Sequence, residues 1–482
     1  MAGIFKEEKL DGENNHHEEP GVDSPTFQEH DPHYEKVLIR KIDRRLLPIL
    51  GALYSIALVD RVNVSAARVA GMDEDLNLSI GDRWSIVLVV FFIPYFIFEL
   101  PSNIVLRKVG SANWLSFIAF AWGTVMLGQG FVKSWDVLAA CRVLLGLFES
   151  GFFPGCAYLI TCWYVRYEVQ TRLAIFYLVS VLIGGFSSIL AFGLQQMEGT
   201  TGLRGWQWIF IIEGLITQVV AIGAWFVIID FPDKATRKGF LSAEEGTFIA
   251  QRIQNDRGDA VPDSLTWAKF GQALLDWKLW AFALMFASST MPAYAFAYFA
   301  PVIIHGMGYS GGIANLMSAP PVVFAVISAM IFARISDRIR MRAPAIFGQC
   351  CVVIMGLMMT AYSTNDYVRY VGIFFGTAGC QGNIPAVLAY QSNNIRLQSK
   401  RAVGSALQIG FGAVGGVLAS TTFLAEEAPL YRTGLWVTAA MQLMTICLAG
   451  FTTTFFWIRN KQQAEGRLKK PIEGQEGLRY TL

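Results

Sequence analysis

The chain has 482 residues, of which 54% are hydrophobic and 16% charged, with a mean hydropathy of +0.42. A soluble domain usually carries about a quarter charged residues, so this chain has too little charge to coat a water-soluble globule. The net charge of +2 is dispersed and forms no basic stripe, which removes nucleic acid as an expected partner.

Residues 1–35 are polar and acidic, with Glu13, Glu18, Glu19, Asp23, Glu29 and Asp31. They lack the apolar core and cleavage site of a signal peptide, and a disordered cytoplasmic tail over 1–45 is expected. A membrane-crossing helix needs about 20 mainly apolar residues. Such windows follow at 46–67, 84–106, 113–132, 136–160, 172–196 and 206–229. A polar stretch then covers 230–277, where Ser242-Ala-Glu-Glu245 has capping-box spacing and Phe248, Ile249 and Ile253 follow at helical intervals. Six more apolar windows occupy 278–304, 313–335, 343–362, 368–390, 402–424 and 434–458, and 459–482 reads as a second cytoplasmic tail. The expected fold is an all-α membrane protein with 12 transmembrane helices in two six-helix bundles, 46–229 and 278–458, joined by a cytoplasmic linker.

Alternate connections differ in Lys and Arg content, and this bias sets orientation. One side holds Lys36, Arg40, Lys41, Arg44, Arg45, Arg107, Lys108, Arg166, Arg172, Arg334, Arg338, Arg340, Arg342, Arg396, Lys400, Arg401, Arg459, Lys461, Arg467, Lys469 and Lys470. The other shows Arg68, Arg83, Lys133, Arg204, Arg369 and Arg432. Both termini are therefore placed in the cytoplasm. An offset of 231 residues lays Gly151 and Pro154 on Gly382 and Pro385, which suits two diverged repeats around a midplane site. The cysteines Cys141, Cys156, Cys162, Cys350, Cys351, Cys380 and Cys447 lie in or beside apolar stretches without metal-ligand spacing, so no metal or cofactor is expected.

Charges inside spanning helices are costly, about 2.5 to 3.5 kcal/mol at the helix centre, and mark functional sites by default. Asp60 and Arg61 fall in the first window, Glu99 in the second, Arg142 and Glu149 in the fourth and Glu213 in the sixth, all in the first half. Arg142 and Glu149 are seven apart, which separates them by about 10.5 Å along the axis. Glu149 must therefore find a partner on another helix or carry a proton, since burial disfavours the charged form. Proton coupling and a structural ion pair both remain open for it, and Asp60 stands beside it as a coupling candidate. Arg61 and Arg142 suit an anion site because guanidinium stays charged and grips carboxylates with two hydrogen bonds. Either can instead pair with Asp60 or Glu149. Glu99 lies near the basic connections and reads as a gating or structural ion pair, and Glu213 as structural. Tyr294, Tyr298 and Asn383 are candidates to line a cavity, as are Phe299 and Tyr390. Pro94, Pro101, Pro154, Pro292, Pro301, Pro320, Pro321 and Pro385 are possible kinks. Asn77-Leu-Ser79 is formally a glycosylation sequon set too near the membrane to be used, and Lys6, Lys9 and Ser24-Pro25 fit either turnover signals or plain tail composition.

Several strings together resemble the major facilitator superfamily, and within it the anion:cation symporter family in its fungal allantoate permease-like branch (nicotinate, pantothenate and allantoate-type permeases). They are Asp60-Arg-Val-Asn63 with Ala67-Arg-Val-Ala-Gly-Met72 and Asp75-Leu76; Phe98-Glu-Leu-Pro-Ser-Asn103 with Leu106-Arg-Lys-Val-Gly110; Arg142-Val-Leu-Leu-Gly-Leu-Phe-Glu-Ser-Gly151 with Phe153-Pro-Gly155; Trp206-Gln-Trp-Ile-Phe-Ile-Ile-Glu-Gly214; Ser336-Asp-Arg338; Lys400-Arg-Ala402; and Ala428-Pro-Leu-Tyr431 with Gly434. The resemblance covers residues 36–460. It implies uptake of a small organic anion such as a vitamin, ureide or other carboxylate, usually with protons. By similarity, Arg61 and Arg142 match anion-binding positions and Glu149 a proton-coupling one. The superfamily's loop pattern normally has an Asp where Arg107 stands, while the second copy keeps Asp337 and Arg338 but starts with Ala333, so the inner gate is expected to rest on that second copy.

The reading is a monomeric proton-coupled importer of a small organic anion, working by alternating access in the lipid bilayer of the plasma membrane, and not an enzyme. The alternatives are an exporter of a secondary metabolite or drug on the same fold, and a nutrient sensor that binds without flux.

Overall fold

The computed structural model describes residues 32–235, 239–258, 267–395, 398–423, 427, 430–468, 472–474 and 479–482. No strand occurs among them, which follows from a bilayer core that leaves unpaired backbone groups no water to bond. The chain divides into a short unit ending at Ile42, helical from Pro32, and a large unit, Asp43–Leu482.

Twelve spanning helices follow in order: α1 (Pro32–Ala67), α2 (Arg83–Val109), α3 (Ser111–Gln129), α4 (Trp135–Trp163), α5 (Arg166–Gly185, continued by Ser187–Gln195), α6 (Gly205–Val227), α7 (Trp277–His305), α8 (Gly311–Ile339), α9 (Ala343–Tyr362), α10 (Asp366–Asn394), α11 (Gln398–Thr422) and α12 (Arg432–Ala464). Ten are long and apolar enough to cross a membrane on their own, and α2 makes an eleventh as a bent pair. It turns by 53° between Glu99 and Pro101, where proline removes a helical hydrogen bond and its ring pushes against the preceding turn. The remaining span, α3, is 19 residues long and is diluted by Asn113, Trp114, Trp122 and Gln129. It packs between α4 and α6, which buries Trp122 and Gln129, while Asn113 stays exposed and accepts from the Trp225 indole at 2.8 Å. Of the other expected kinks, Pro154 opens the second segment of α4, Phe152–Trp163, and Pro320 and Pro321 open the second segment of α8, Ala319–Ile339.

Two expectations about the tails change. Residues 32–45 are helical, part of α1; residues 1–31 lie outside the described residues. At the other end α12 runs to Ala464, and the later segments 472–474 and 479–482 fold back on the second bundle. The Tyr480 ring stacks on Phe456 at 4.2 Å. The side chains of Asn460 and Asn394 each donate to and accept from the backbone of this segment, at Tyr480 and Thr481, over 2.8–3.1 Å. Glu473 accepts from Lys278 of α7 and, at 2.8 Å, from Lys400 of α11; both lysines also pair with Asp276. Glu473, in the segment expected to be a cytoplasmic tail, thus has fixed lysine partners on two helices of the second bundle.

The linker behaves as its sequence suggests. Ser242 N–H donates to Glu245 Oε2 at 2.9 Å and Glu245 N–H to Ser242 Oγ at 3.1 Å, the reciprocal capping box that opens helix Ala243–Gly258. Ile249 and Ile253 are buried, and Arg252 ties the helix to Glu168 of α5 at 2.8 Å.

Within the first bundle α3 packs on α6 and α2 on α4; within the second α9 packs on α10 and α7 on α11. The bundles meet where α2 lies against α11 and α5 against α8. Under the repeat, α8 is the counterpart of α2 and α11 of α5. The two contacts are then one contact with the bundles exchanged, as a pseudo-twofold axis produces.

Candidate functional site

Asp60 and Arg61 are consecutive on α1, so a helix turns them about 100° apart and sends them to different neighbours. Arg61 faces α4, α2 and α7. Its Nε donates to Glu149 Oε1 at 3.1 Å, Nη2 donates to the same oxygen, and Nη1 donates to the Tyr294 hydroxyl at 2.7 Å. Its guanidinium lies over the rings of Tyr95 and Phe91, 5.1 and 5.3 Å from their centroids, where cation–π attraction adds to the ion pair. Glu149 is 2% exposed, and its Oε2 has no hydrogen-bond partner among the described residues.

Arg142, one helical heptad below Glu149, is 0% exposed. Its Nη2 reaches the Arg61 carbonyl at 3.4 Å, while Nε and Nη1 have no partner among the described residues. The Tyr298 hydroxyl stands close enough to act on this guanidinium, but no well-aligned hydrogen bond joins them. The Tyr294 and Tyr298 rings stack at 6.0 Å, and the Tyr298 carbonyl accepts from Ser65 of α1. What lets α4 bring these charges so near α2 is Gly146: a Cβ there would stand 2.1 Å from the Phe91 carbonyl oxygen.

The structure thus brings Arg61, Arg142, Glu149, Tyr294 and Tyr298 together across the boundary between bundles. It does not bring Asn383, whose amide donates to Cys350 at 3.2 Å in the α9–α10 interface. Tyr390 likewise packs on Phe282 and bonds Thr453 at 2.8 Å. Asp60 turns away from Arg61 and accepts from Trp122 of α3 at 3.1 Å and Thr217 of α6 at 3.0 Å. Sequence reasoning missed Phe91 and Tyr95. Their four-residue spacing, continued by Glu99, marked one face of α2.

A family model described as Major Facilitator Superfamily matches residues 50–420. The chain belongs to the Major Facilitator Superfamily. Similar superfamily members include the major facilitator-type transporter hxnP of Emericella nidulans, 31% identical over 455 residues that span 92% of this chain and 90% of that protein. The high-affinity nicotinic acid transporter of Saccharomyces cerevisiae is 29% identical over 463 residues, 96% of this chain and 84% of its own. Among solved structures, the xylose transporter XylE from E. coli in a partially occluded inward open conformation matches with a TM-score of 0.66 at 12% identity, covering 85% of this chain and 98% of that one. A bacterial homolog of the human lysosomal transporter Spinster, inward-facing and unoccupied, gives 0.65 at 15% identity, over 87% and 96%. These likenesses establish the fold: the protein is a multi-pass membrane transporter of two six-helix bundles, and not an enzyme.

The expected gating residues of this major facilitator chain occupy three settings. Glu99 is buried, and among the described residues no cation pairs with it; the expected ion pair is not formed. Arg107 lies over the rings of Phe231 and Tyr158 at 5.3 and 5.7 Å. Asp337 pairs with Arg342 at 2.6 Å inside the second bundle, and Arg338 is exposed. The carboxylate that the α2–α3 connection lacks in sequence comes from Asp230, at the start of the linker. Its Oδ1 accepts from the Ser111 N–H at 2.9 Å and hydroxyl at 3.1 Å, capping α3. Gly110, with φ +101°, makes room: a Cβ there would meet Asp230 Oδ2 at 2.7 Å.

Proposed function

We propose that this transporter imports a small organic anion together with protons, by alternating access of its two bundles around Arg61, Arg142 and Glu149. The observation that carries the reading is the Arg142 guanidinium, fully buried, whose Nε and Nη1 have no hydrogen-bond partner among the described residues. A buried charged donor left unmatched is costly, and an anionic oxygen such as that of a carboxylate satisfies a guanidinium N–H with a charge-assisted hydrogen bond. A monocarboxylate seated on Arg142 would lie beside the Tyr294–Tyr298 pair, within reach of both bundles.

Glu149 supplies the coupling in this proposal. While ionised it holds Arg61 on its Oε1; once protonated it loses most of its attraction for guanidinium and releases Arg61 toward the incoming anion. Proton and anion then enter together because each relieves the other's desolvation. The name of the Saccharomyces cerevisiae relative, a nicotinic acid transporter, supports a carboxylic acid substrate. The Lys/Arg bias supports a cytoplasmic linker face, and the plasma membrane is the proposed location. With an inside-negative potential worth about 2.3 kcal/mol per charge per 100 mV, one proton makes entry of a monoanion electroneutral and two make it electrically favoured.

The test is uptake of a panel of radiolabelled carboxylates into cells expressing the chain, at acidic and neutral external pH, beside Glu149→Gln and Arg142→Ala. Acid-stimulated uptake that both variants lose supports the proposal. Absence of any uptake, with poorer retention of a preloaded compound, replaces it by an exporter, and binding without flux by a sensor.

A further inference from the structure

On the other side of α1 from Arg61 lies a second set of buried acids. Asp60 is 0% and Glu213 3% exposed, and the two acids, from α1 and α6, line one cavity. Both border a cavity of about 240 Å³ whose remaining wall is almost wholly apolar, with Ile56, Val59, Ile183, Phe186, Leu190 and Ile216. Phe186, Ile183, Leu190 and Ile216 are also exposed on the outer surface of the bundle, so the cavity sits toward the lipid side, between α1, α5 and α6, away from the boundary between bundles.

The hydrogen bonding of the pair is unequal. Asp60 Oδ2 accepts from the Trp122 indole and the Thr217 hydroxyl, and its Oδ1 has no partner. Among the described residues, both carboxylate oxygens of Glu213 lack a hydrogen-bond partner. The groups acting on the pair from the packed elements are Trp122 of α3, Thr217 of α6, Asn63 of α1 and the carboxyl of Glu149 on α4; Ser187 of α5 lines the cavity. Among the described residues no Lys or Arg bonds either acid. Two ionised carboxylates cannot share an apolar cavity without a cation, because burial and mutual repulsion both act against the second charge. A proton on one of them resolves the conflict.

We infer that Asp60 and Glu213 form a second proton-binding site, a carboxyl pair in a lipid-side cavity, with the proton held on Glu213. The assignment follows from the donors: Trp122 and Thr217 favour the anionic form of Asp60, and Glu213 has nothing to favour its anion. Thr217 links the state of the site to α6, since its single hydroxyl proton is directed to Asp60 at 3.0 Å or to the Glu213 carbonyl at 2.8 Å, and one proton serves only one of them at a time. The site is separate from the Arg61–Glu149 pair, and the inference holds whatever the substrate and direction of transport.

Dicyclohexylcarbodiimide tests it without any transport measurement. This apolar reagent adds to protonated carboxyls, taking the acid proton on nitrogen and leaving a stable acylurea on the side chain, and it reaches sites that open toward lipid. Purified full-length protein in lipid nanodiscs is treated across mildly acidic to alkaline pH, and adducts are mapped by peptide mass spectrometry. The expected result is an adduct on Glu213 at neutral pH that declines as pH rises, and in Asp60→Asn declines at lower pH because the neighbouring negative charge is gone. No adduct on Glu213 or Asp60 in the wild type at any pH overturns the inference, as does a Glu213 adduct whose pH dependence Asp60→Asn leaves unchanged. The wild-type arm stands even if the variant fails to fold.

Discussion

Arg61 holds Glu149 through its Nε at 3.1 Å and, from the same guanidinium, reaches the Tyr294 hydroxyl of the opposite bundle at 2.7 Å. Breaking a buried pair from one side leaves an uncompensated charge, at a cost of about 3–5 kcal/mol. Arg61→Ala should therefore lower the thermal stability of the detergent-purified protein markedly. Adding Glu149→Gln should return most of the loss, since the second change removes the stranded acid. Equal stability of Arg61→Ala and wild type would mean that the pair carries no structural energy.

The Tyr294 contact links the bundles at this charge and can be tested by removing one atom. Tyr294→Phe keeps the ring that packs edge-on against Phe92 at 5.0 Å and deletes a hydrogen bond to a cation, worth about 1.5–3 kcal/mol. Transport by this variant should fall by roughly tenfold or more, with a modest drop in melting temperature from the lost bond. An unchanged rate would show that Arg61 does not act through the hydroxyl.

Gly146 sets the α2–α4 spacing, and any side chain there meets backbone that cannot step aside. Gly146→Val should abolish surface expression, whereas the same change at Gly128, where an added Cβ would have nothing within 4 Å, should be tolerated. Immunoblots of membrane fractions distinguish the two. Asp230→Ala removes the α3 cap and should cost about 1 kcal/mol, read as a lower melting temperature, with Asp230→Asn intermediate.

The folded-back segment near Tyr480 should release only in acid. Burial alone would raise the Glu473 carboxyl, but hydrogen bonds and charge from Lys278 and Lys400 outweigh it and hold the group below the usual carboxylate range. Asp276 is lowered for the same reason, against its burial. A depressed carboxyl contributes stability that is fully present above its unfolded value, about 4, and is lost as pH falls through the folded value. Hydrogen exchange at Tyr480 and Thr481 should thus stay slow from neutral pH down to mild acid and become fast below about pH 4. Glu473→Gln should make it faster already at neutral pH.

The spanning helices were legible because 20-residue apolar windows are a property of local sequence, and each expected window falls on one observed helix, overrunning it at most by a few residues, as at the ends of α3 and α6. The identity of the charged residues was legible for the same reason: each stands out against an apolar background. Their pairing was not. Arg61 and Glu149 lie 88 positions apart, and only the spacing that rules out an Arg142–Glu149 contact pointed to another helix. Asp230 was invisible because it caps a helix that begins 119 positions earlier. Asn383 was misplaced because periodicity tells that a residue of α10 is buried, not whether it faces α9 or the other bundle.

The buried charges that meet at the bundle boundary all come from one bundle, and the other answers them with phenols. A phenol neither gains nor loses charge in the range where carboxylates do, so under the proposed proton coupling the second bundle can change its lining without disturbing the energetics of ion movement. Divergence of substrate preference can then accumulate on one side of the molecule while the driving chemistry stays fixed on the other, and hybrid proteins that exchange second bundles would inherit selectivity from one parent and ion dependence from the other.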